Sequence, residues 1–224
     1  MIDVRGISYS YGRHQVLRQV SLHAEKGDCV AIAGANGCGK STLLSLLAGA
    51  MRLQKGEIRY GGKDPRKDPR IFRRMVGYVP QDNPLLEDLS VRDNLRLWYS
   101  GSSFSMEADL QNGILSVLKL GEFLPKTVSK LSGGMKKRVS IGCAFAAHPS
   151  ILILDEPSAA LDLICKEEIR SYLKLFLGKG GTILITTHEE TELDLCNRLY
   201  LLKEGMLNEA DPGLRGEALA RAFS

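Results

Sequence analysis

Nine consecutive residues, Gly34-Ala35-Asn36-Gly37-Cys38-Gly39-Lys40-Ser41-Thr42, carry the spacing G-x-x-x-x-G-K-S/T. The chemistry of that spacing is the capture of phosphate. Glycines let the backbone wrap closely around an anion and turn successive N–H groups toward it, and a following helix N-terminus adds partial positive charge. Lys40 is spaced to reach the β- and γ-phosphates, and the Ser41 hydroxyl to meet Mg²⁺. A plain turn between strand and helix needs neither three glycines nor Gly-Lys-Ser. The stretch therefore reads as a nucleoside triphosphate site.

Three other groups stand where predicted strands end, which is where α/β sheets present their ligand crevice. Asp155 and Glu156 follow the apolar run Ile151-Leu152-Ile153-Leu154. Asp155 suits a Mg²⁺ ligand, and Glu156 suits a base that orients water. His188 follows Thr182-Ile183-Leu184-Ile185 and could bond the γ-phosphate and the attacking water. His14, His23 and His148 lack such a position and read as ordinary histidines. Gln81, after Tyr78-Val79-Pro80, could contact the metal and the water. A further anion-binding arrangement is Leu131-Ser132-Gly133-Gly134-Met135, opening a helix through Val139, Cys143 and Ala146.

The elements that must position these groups follow from periodicity. Ile2, Val4, Ile7, Tyr9 and Tyr11, then Val16 to Leu22, predict strands about a turn at Gly12-Arg13. Cys29 to Ala33 is the strand before the glycine loop, and Leu43, Leu44, Leu47 and Ala48 mark the helix after it. A short strand is expected near Gly56 to Gly62, and a solvated loop over the mixed charge run Lys63 to Arg74. Met75 to Val79 reads as another strand. Helical spacing (Val91, Leu95, Trp98; Ile114, Leu115, Leu118) takes over across 82–130. The continuous apolar runs at 151–154 and 182–185 predict strands buried on both faces. Leu214, Ala218, Leu219, Ala222 and Phe223 give an amphipathic helix expected to pack on its own domain.

The bulk composition narrows the class. At 224 residues the chain can bury a substantial core. Its 44% hydrophobic and 25% charged residues exclude a disordered or fibrous chain. A net charge of +4 is too slight to argue for nucleic acid. Five cysteines without a C-x-x-C pair predict reduced thiols in the cytoplasm. The N-terminus has no charged-then-apolar leader pattern. The longest uncharged stretch, Val139 to Leu154, is interrupted by His148-Pro149 and too short to span a bilayer.

In order, the glycine loop, Gln81, Leu131-Ser132-Gly133-Gly134, Leu154-Asp155-Glu156-Pro157 and His188 resemble the ATP-binding subunits of ABC transporters, over essentially the whole chain. The resemblance implies an α/β fold: a P-loop NTPase core with a mostly parallel sheet, an N-terminal antiparallel β subdomain and an inserted α-helical subdomain. One domain is expected over 1–224, with β subdomain and core in 1–81, the helical part in about 82–148, and the core resuming over 149–224. It also implies ATP and Mg²⁺ as cofactors, and a dimer with a second copy or a related ATP-binding subunit. Ser132, Gly133 and Gly134 would act in trans, on the γ-phosphate held by the other subunit's loop. Tyr11 takes the place of the aromatic that stacks on adenine, with Tyr9 as the fallback. Ala159-Ala160-Leu161-Asp162 resembles the loop along the dimer seam.

Met135 departs from the family's usual glutamine, and Met135-Lys136-Lys137-Arg138 resembles the drug- and lipid-exporter branch called ABC-2. Export is thereby favoured, as it is by the lack of an appended regulatory domain. The implied partner is an integral membrane permease, with this chain peripheral on the cytoplasmic face and no nucleic acid expected. ABC-type ATPases also serve soluble machines such as iron–sulfur assembly, and that is the alternative. A small-molecule kinase would leave Leu131 to Gly134 without a purpose.

Overall fold

The computed structural model describes residues 1–159 and 161–223, with the side chain of Phe223 outside the described set. Two sheets organise the chain. Strands β1 (Ile2–Tyr11), β2 (His14–Ala24) and β4 (Lys55–Tyr60) form an antiparallel sheet in the order β2-β1-β4. The second sheet holds β3 (Cys29–Ala33), β5 (Val76–Val79), β6 (Ile151–Asp155), β7 (Thr182–Thr186), β8 (Arg198–Lys203) and β9 (Met206–Ala210). Its order is β5-β6-β7-β3-β8-β9. All its pairings are parallel except the β8–β9 hairpin.

Both faces of the parallel strands are covered, as their unbroken apolar runs require. Val30, Ile32, Ile151, Ile153 and Leu184 face one core with helix α1 (Lys40–Leu47) and the antiparallel sheet. Ala31, Ala33, Leu152, Leu154, Ile183 and Ile185 face the other. That second core is shared with α3 (Val91–Tyr99), α4 (Met106–Asn112), α5 (Ile114–Val117), α6 (Gly133–Phe145) and α7 (Leu163–Gly178). Between β5 and β6 the described residues form helices and turns with no named strand.

Polar side chains set where these helices begin. Ser90, Ser132 and Asp162 accept from the backbone N–H of Asp93, Met135 and Cys165, capping α3, α6 and α7. The charge run is a loop only in part. Asp64 pairs with Arg66 and Asp68 with Arg70 at the surface. Residues Arg70–Met75 then form a helix, α2. Ile71 is buried, and Phe72 packs edge-on against Tyr60 with ring centroids 5.9 Å apart. The apolar spacing of Ile71, Phe72 and Met75 outweighed the surrounding charge.

Two short elements complete the chain. Helix α8 (Glu190–Leu193) links β7 to β8, and α9 (Gly216–Phe223) closes the described chain. Leu214 and Leu219 pack against the second core, so α9 rests on its own domain. All five cysteines are free, with the Cys29 and Cys196 thiols 3.2 Å apart. Among the described residues no helix is long and apolar enough to cross a membrane.

Candidate functional site

The carboxyl ends of β5, β6, β7 and β3, four neighbours in the sheet, point to one crevice. β3 runs into the glycine loop. Gly39 caps α1 with φ +109°, a conformation that disfavours any side chain. A Cβ there would stand 2.6 Å from Val16 Cγ1, and one at Gly34 would stand 2.4 Å from the Leu202 carbonyl oxygen. The loop is therefore clamped between β2 and β8. The N–H groups of Lys40, Ser41 and Thr42 precede the first α1 bond, from the Leu43 N–H to the Gly39 carbonyl at 2.9 Å, and so lack intrahelical acceptors. Lys40 is buried, its Nζ donating to the carbonyls of Gly34 at 2.7 Å and Ala35 at 3.1 Å. A phosphate entering the loop would take over those donors.

Above the loop lies a cavity of about 620 Å³, within the range that holds small ligands. Its walls are Tyr11, His14, Val16, Asn36, Gly37, Gly39, Lys40, Ser41, Thr42, Gln81, Glu156 and His188. Tyr11 sits at the rim, half exposed, with its ring edge-on to Tyr9. Tyr9 itself does not line the cavity. His14 does, at the start of β2, although nothing in its sequence neighbourhood sets it apart from an ordinary histidine.

The β6 and β7 ends are joined by hydrogen bonds. Thr186 Oγ1 donates to Asp155 Oδ1. The Glu156 N–H donates to the Thr186 carbonyl at 3.0 Å and approaches its hydroxyl at 3.2 Å. Glu156 is thereby held at φ +49°, where a bulky residue is strained. Its carboxylate projects into the cavity, 3.6 Å from His188 Nε2.

Asp155 is buried, and its Oδ2 has no hydrogen-bond partner. A buried carboxylate oxygen without a donor is costly, and a divalent cation removes that cost. Ser41 and Gln81 line the cavity and Asp155, at the end of β6, does not; together they would offer the all-oxygen donors that Mg²⁺ prefers. Among the described residues no group of three or more His, Cys, Asp or Glu could hold a metal. The phosphates of a nucleotide would supply the remaining ligands, as is usual for Mg²⁺.

A second tier of contacts supports the strand ends. Glu192, on α8, is 4% exposed and accepts from Ser158 Oγ and Thr187 Oγ1. Burial pushes its carboxyl above the ordinary range, against the pull of those two hydroxyls. Lys137, on α6, is equally buried and donates to the carbonyls of Pro80 at 3.0 Å and Gln81 at 3.1 Å. Burial lowers its ammonium, while nearby Asp155 and Glu156 act in the opposite direction. Neither contact is readable along the chain, because Ser158 and the Pro80-Gln81 carbonyls are brought to these residues by the fold.

Ser132, Gly133, Gly134 and Asp162 do not line the cavity. Ser132 caps α6, and Asp162 both caps α7 and pairs with Arg138 at 2.5 Å. Ala160, in the stretch 159–162 expected along a dimer seam, lies outside the described residues. His148 stacks on Phe104 and pairs with Asp109, and His23 pairs with Glu25, so both have structural partners.

Comparison with known proteins gives concordant matches. The family described as "ABC transporter" matches residues 17–159. The Nod factor export ATP-binding protein I of Paraburkholderia xenovorans (strain LB400) is 37% identical over 208 residues, covering 91% of this chain and 68% of that protein. A solved ATP-binding subunit of an ABC transporter superposes with a TM-score of 0.88 at 27% identity, covering 100% of this chain and 99% of that one. A dimeric ATP-binding cassette in a post-hydrolysis state, bound to ADP and Pi, superposes with a TM-score of 0.81 at 29% identity, covering 96% and 100%.

Proposed function

The chain belongs to the ABC transporter family as an ATP-binding and ATP-hydrolysing cassette, and from that premise we propose that it drives export through a separate membrane-spanning subunit. One observation carries the mechanism. The cavity gathers Lys40, Gln81, Glu156 and His188, while Ser132, Gly133 and Gly134 lie outside it on the same chain. An anion-binding helix start away from its own chain's phosphate site is explained by a partner cassette's nucleotide. A second ATP-binding subunit completes the unit, as in the dimeric relative, and two copies related by a twofold axis would sandwich two ATP molecules.

Each γ-phosphate then gains donors from the opposing α6 start, and hydrogen bonds to charged groups contribute about 1.5–3 kcal/mol apiece. Tyr11 stacks on the adenine at the rim. Lys40 and the loop N–H groups hold the β- and γ-phosphates and stabilise charge as the terminal bond breaks. Glu156 accepts a hydrogen bond from the attacking water and aligns it, with His188, 3.6 Å from that carboxylate, contacting the γ-phosphate. Ser41, Gln81 and Asp155 would hold Mg²⁺, which would supply charge neutralisation for the phosphates. Loss of the γ-phosphate removes the bridge, and the dimer opens. Asp162 and its neighbours would lie along the seam.

We assign residues 82–148 as the lobe that passes this motion to the membrane partner, at the cytoplasmic face. The export direction is supported by the export function named for the Paraburkholderia relative and by Met135-Lys136-Lys137-Arg138. Glu156→Gln tests the mechanism. The variant should bind ATP, hydrolyse it at least about 100-fold more slowly, and run as a dimer in light scattering with ATP. Turnover at the parent rate would remove Glu156 from its role. Recovery of a multi-spanning protein with the tagged chain from gently solubilised membranes would support the transport partner, and recovery of soluble proteins alone would count against it.

A further inference from the structure

The sequence Lys136-Lys137-Arg138 places three cations in a row on the first turns of α6. Lys136 and Arg138 each take a carboxylate, Glu87 and Asp162, both at 2.5 Å. Lys137 differs. Its side chain is only 3% exposed, and its ammonium donates to the backbone carbonyls of Pro80 and Gln81. Those acceptors lie 57 and 56 residues away along the chain.

Burying an ammonium is costly unless its donors are satisfied, and neutral side chains would fill the space at lower cost. The acceptors give the reason for a cation here. β5 ends at Val79, and among the described residues 80–82 make no backbone–backbone hydrogen bond of their own. The ammonium of Lys137 is thus the observed polar tether on the chain where it leaves the sheet. Gln81 hangs from that tether with its side chain in the nucleotide cavity. Five residues before Lys137, Ser132 caps the same helix.

We propose that Lys137 is a positioning residue that fastens Gln81 to α6, so that the place of Gln81 in one cavity follows the place of the Ser132-Gly133-Gly134 helix start. The tether is a two-carbonyl clamp made by a charged donor, stronger than a neutral hydrogen bond. When α6 shifts to meet an opposing nucleotide, Gln81 is carried with it. The hydrolytic state of one cavity is then coupled to engagement of the other through a single side chain. This rests on the assignment of Gln81 to the catalytic cavity and of α6 to the partner's nucleotide.

The test compares Lys137→Met, Lys137→Gln and Lys137→Arg, alone and with Gln81→Ala, in steady-state ATPase assays and in binding of ATP to the isolated chain. A misplacement near 1 Å in a catalytic group costs about 100-fold, so Lys137→Met should lower kcat by about 10–100-fold. ATP affinity, set by the phosphate loop, should stay within about twofold of the parent. Lys137→Arg, which also presents paired donors, should recover most of the rate. The two effects should not add: in a Gln81→Ala background Lys137→Met should cost less than about twofold.

Equal cost in both backgrounds, or a parent kcat in Lys137→Met, would overturn the proposal. If Lys137→Met does not fold, Lys137→Gln carries the same comparison, since it keeps an N–H donor while losing the charge. Failure of the underlying reading looks different: the parent would then show no ATPase activity sensitive to Lys40→Ala.

Discussion

Thr186→Val isolates the bond that aims Asp155. Thr186 is fully buried, and its hydroxyl is a donor to Asp155 Oδ1, whose sister oxygen Oδ2 has none. Valine keeps the shape of the side chain and deletes the hydroxyl. The Glu156 N–H keeps its 3.0 Å bond to the Thr186 carbonyl and loses only the longer 3.2 Å contact with the hydroxyl, so most of the loss falls on Asp155. A hydrogen bond to a charged group contributes about 1.5–3 kcal/mol. For a chain of this size 1 kcal/mol moves Tm by about 2–4 °C, so a fall of about 3–12 °C is expected without nucleotide. Thr182→Val is the control on the same strand. Its hydroxyl donates at 3.0 Å to a neutral acceptor, the Glu25 carbonyl, with an expected cost of about 0.5–1.5 kcal/mol. The two variants separate most clearly in Mg²⁺ dependence. Removing a group that orients a metal ligand typically costs about 10–100-fold in metal affinity, so Thr186→Val should need that much more Mg²⁺ for half-maximal ATPase. Thr182→Val should need no more than the parent. A Thr186→Val protein with parent Mg²⁺ dependence would refute the link from Thr186 through Asp155 to the metal.

Glu192→Gln tests the buried carboxyl under the His188 segment. Its pKa is raised in the fold, so its contribution is fully present below the ordinary carboxyl value and fades as pH rises through the raised one. The stability difference between parent and variant, from urea unfolding at pH 5 and pH 8, should shift toward the variant at the higher pH; a constant difference would show that burial does not govern this group. Gly39→Ala forces a side chain into φ +109° and against Val16 Cγ1 at 2.6 Å. A left-handed conformation alone costs about 1–2 kcal/mol, so calorimetric ATP affinity should fall at least about 10-fold, and retained affinity would contradict the clamped loop.

What the sequence made legible is what lies contiguous in it. The glycine loop, Asp155-Glu156 and the strand-end His188 each carry neighbours that declare strand, turn or helix, and the parallel order of β5, β6, β7 and β3 gathers them. Where local signals competed, composition misled. Residues 70–75 looked like more of a charged loop, yet Ile71 and Phe72 needed only one apolar face to make α2. His14 resembled any surface histidine until the β1–β2 turn set it beside Tyr11 in the cavity. The contacts of Thr186 with Asp155, Glu192 with Ser158 and Lys137 with Pro80 were not legible, because each pair lies 31, 34 or 57 residues apart. A tether across such distances exists only once two elements have packed.

The run Lys136-Lys137-Arg138 makes the same argument within three residues. By composition it is one basic patch, and by resemblance one branch marker. In the fold, its members reach three separate elements: Glu87 before α3, the exit of β5, and Asp162 at the start of α7. Glu87 and Asp162 are well exposed partners, and such pairs are worth little, near 0–1 kcal/mol, and weaken with salt. Their use lies in direction, since each limits where α6 can stand relative to one neighbour. Lys137 alone has exchanged solvent for backbone carbonyls, where screening is weak and a lost donor leaves two acceptors unmet. Because Val139, Ile141, Cys143 and Phe145 pack α6 into the second core, the clamp fastens the exit of β5 to that packed body, and under the proposed movement toward a neighbouring nucleotide Gln81 would travel with it.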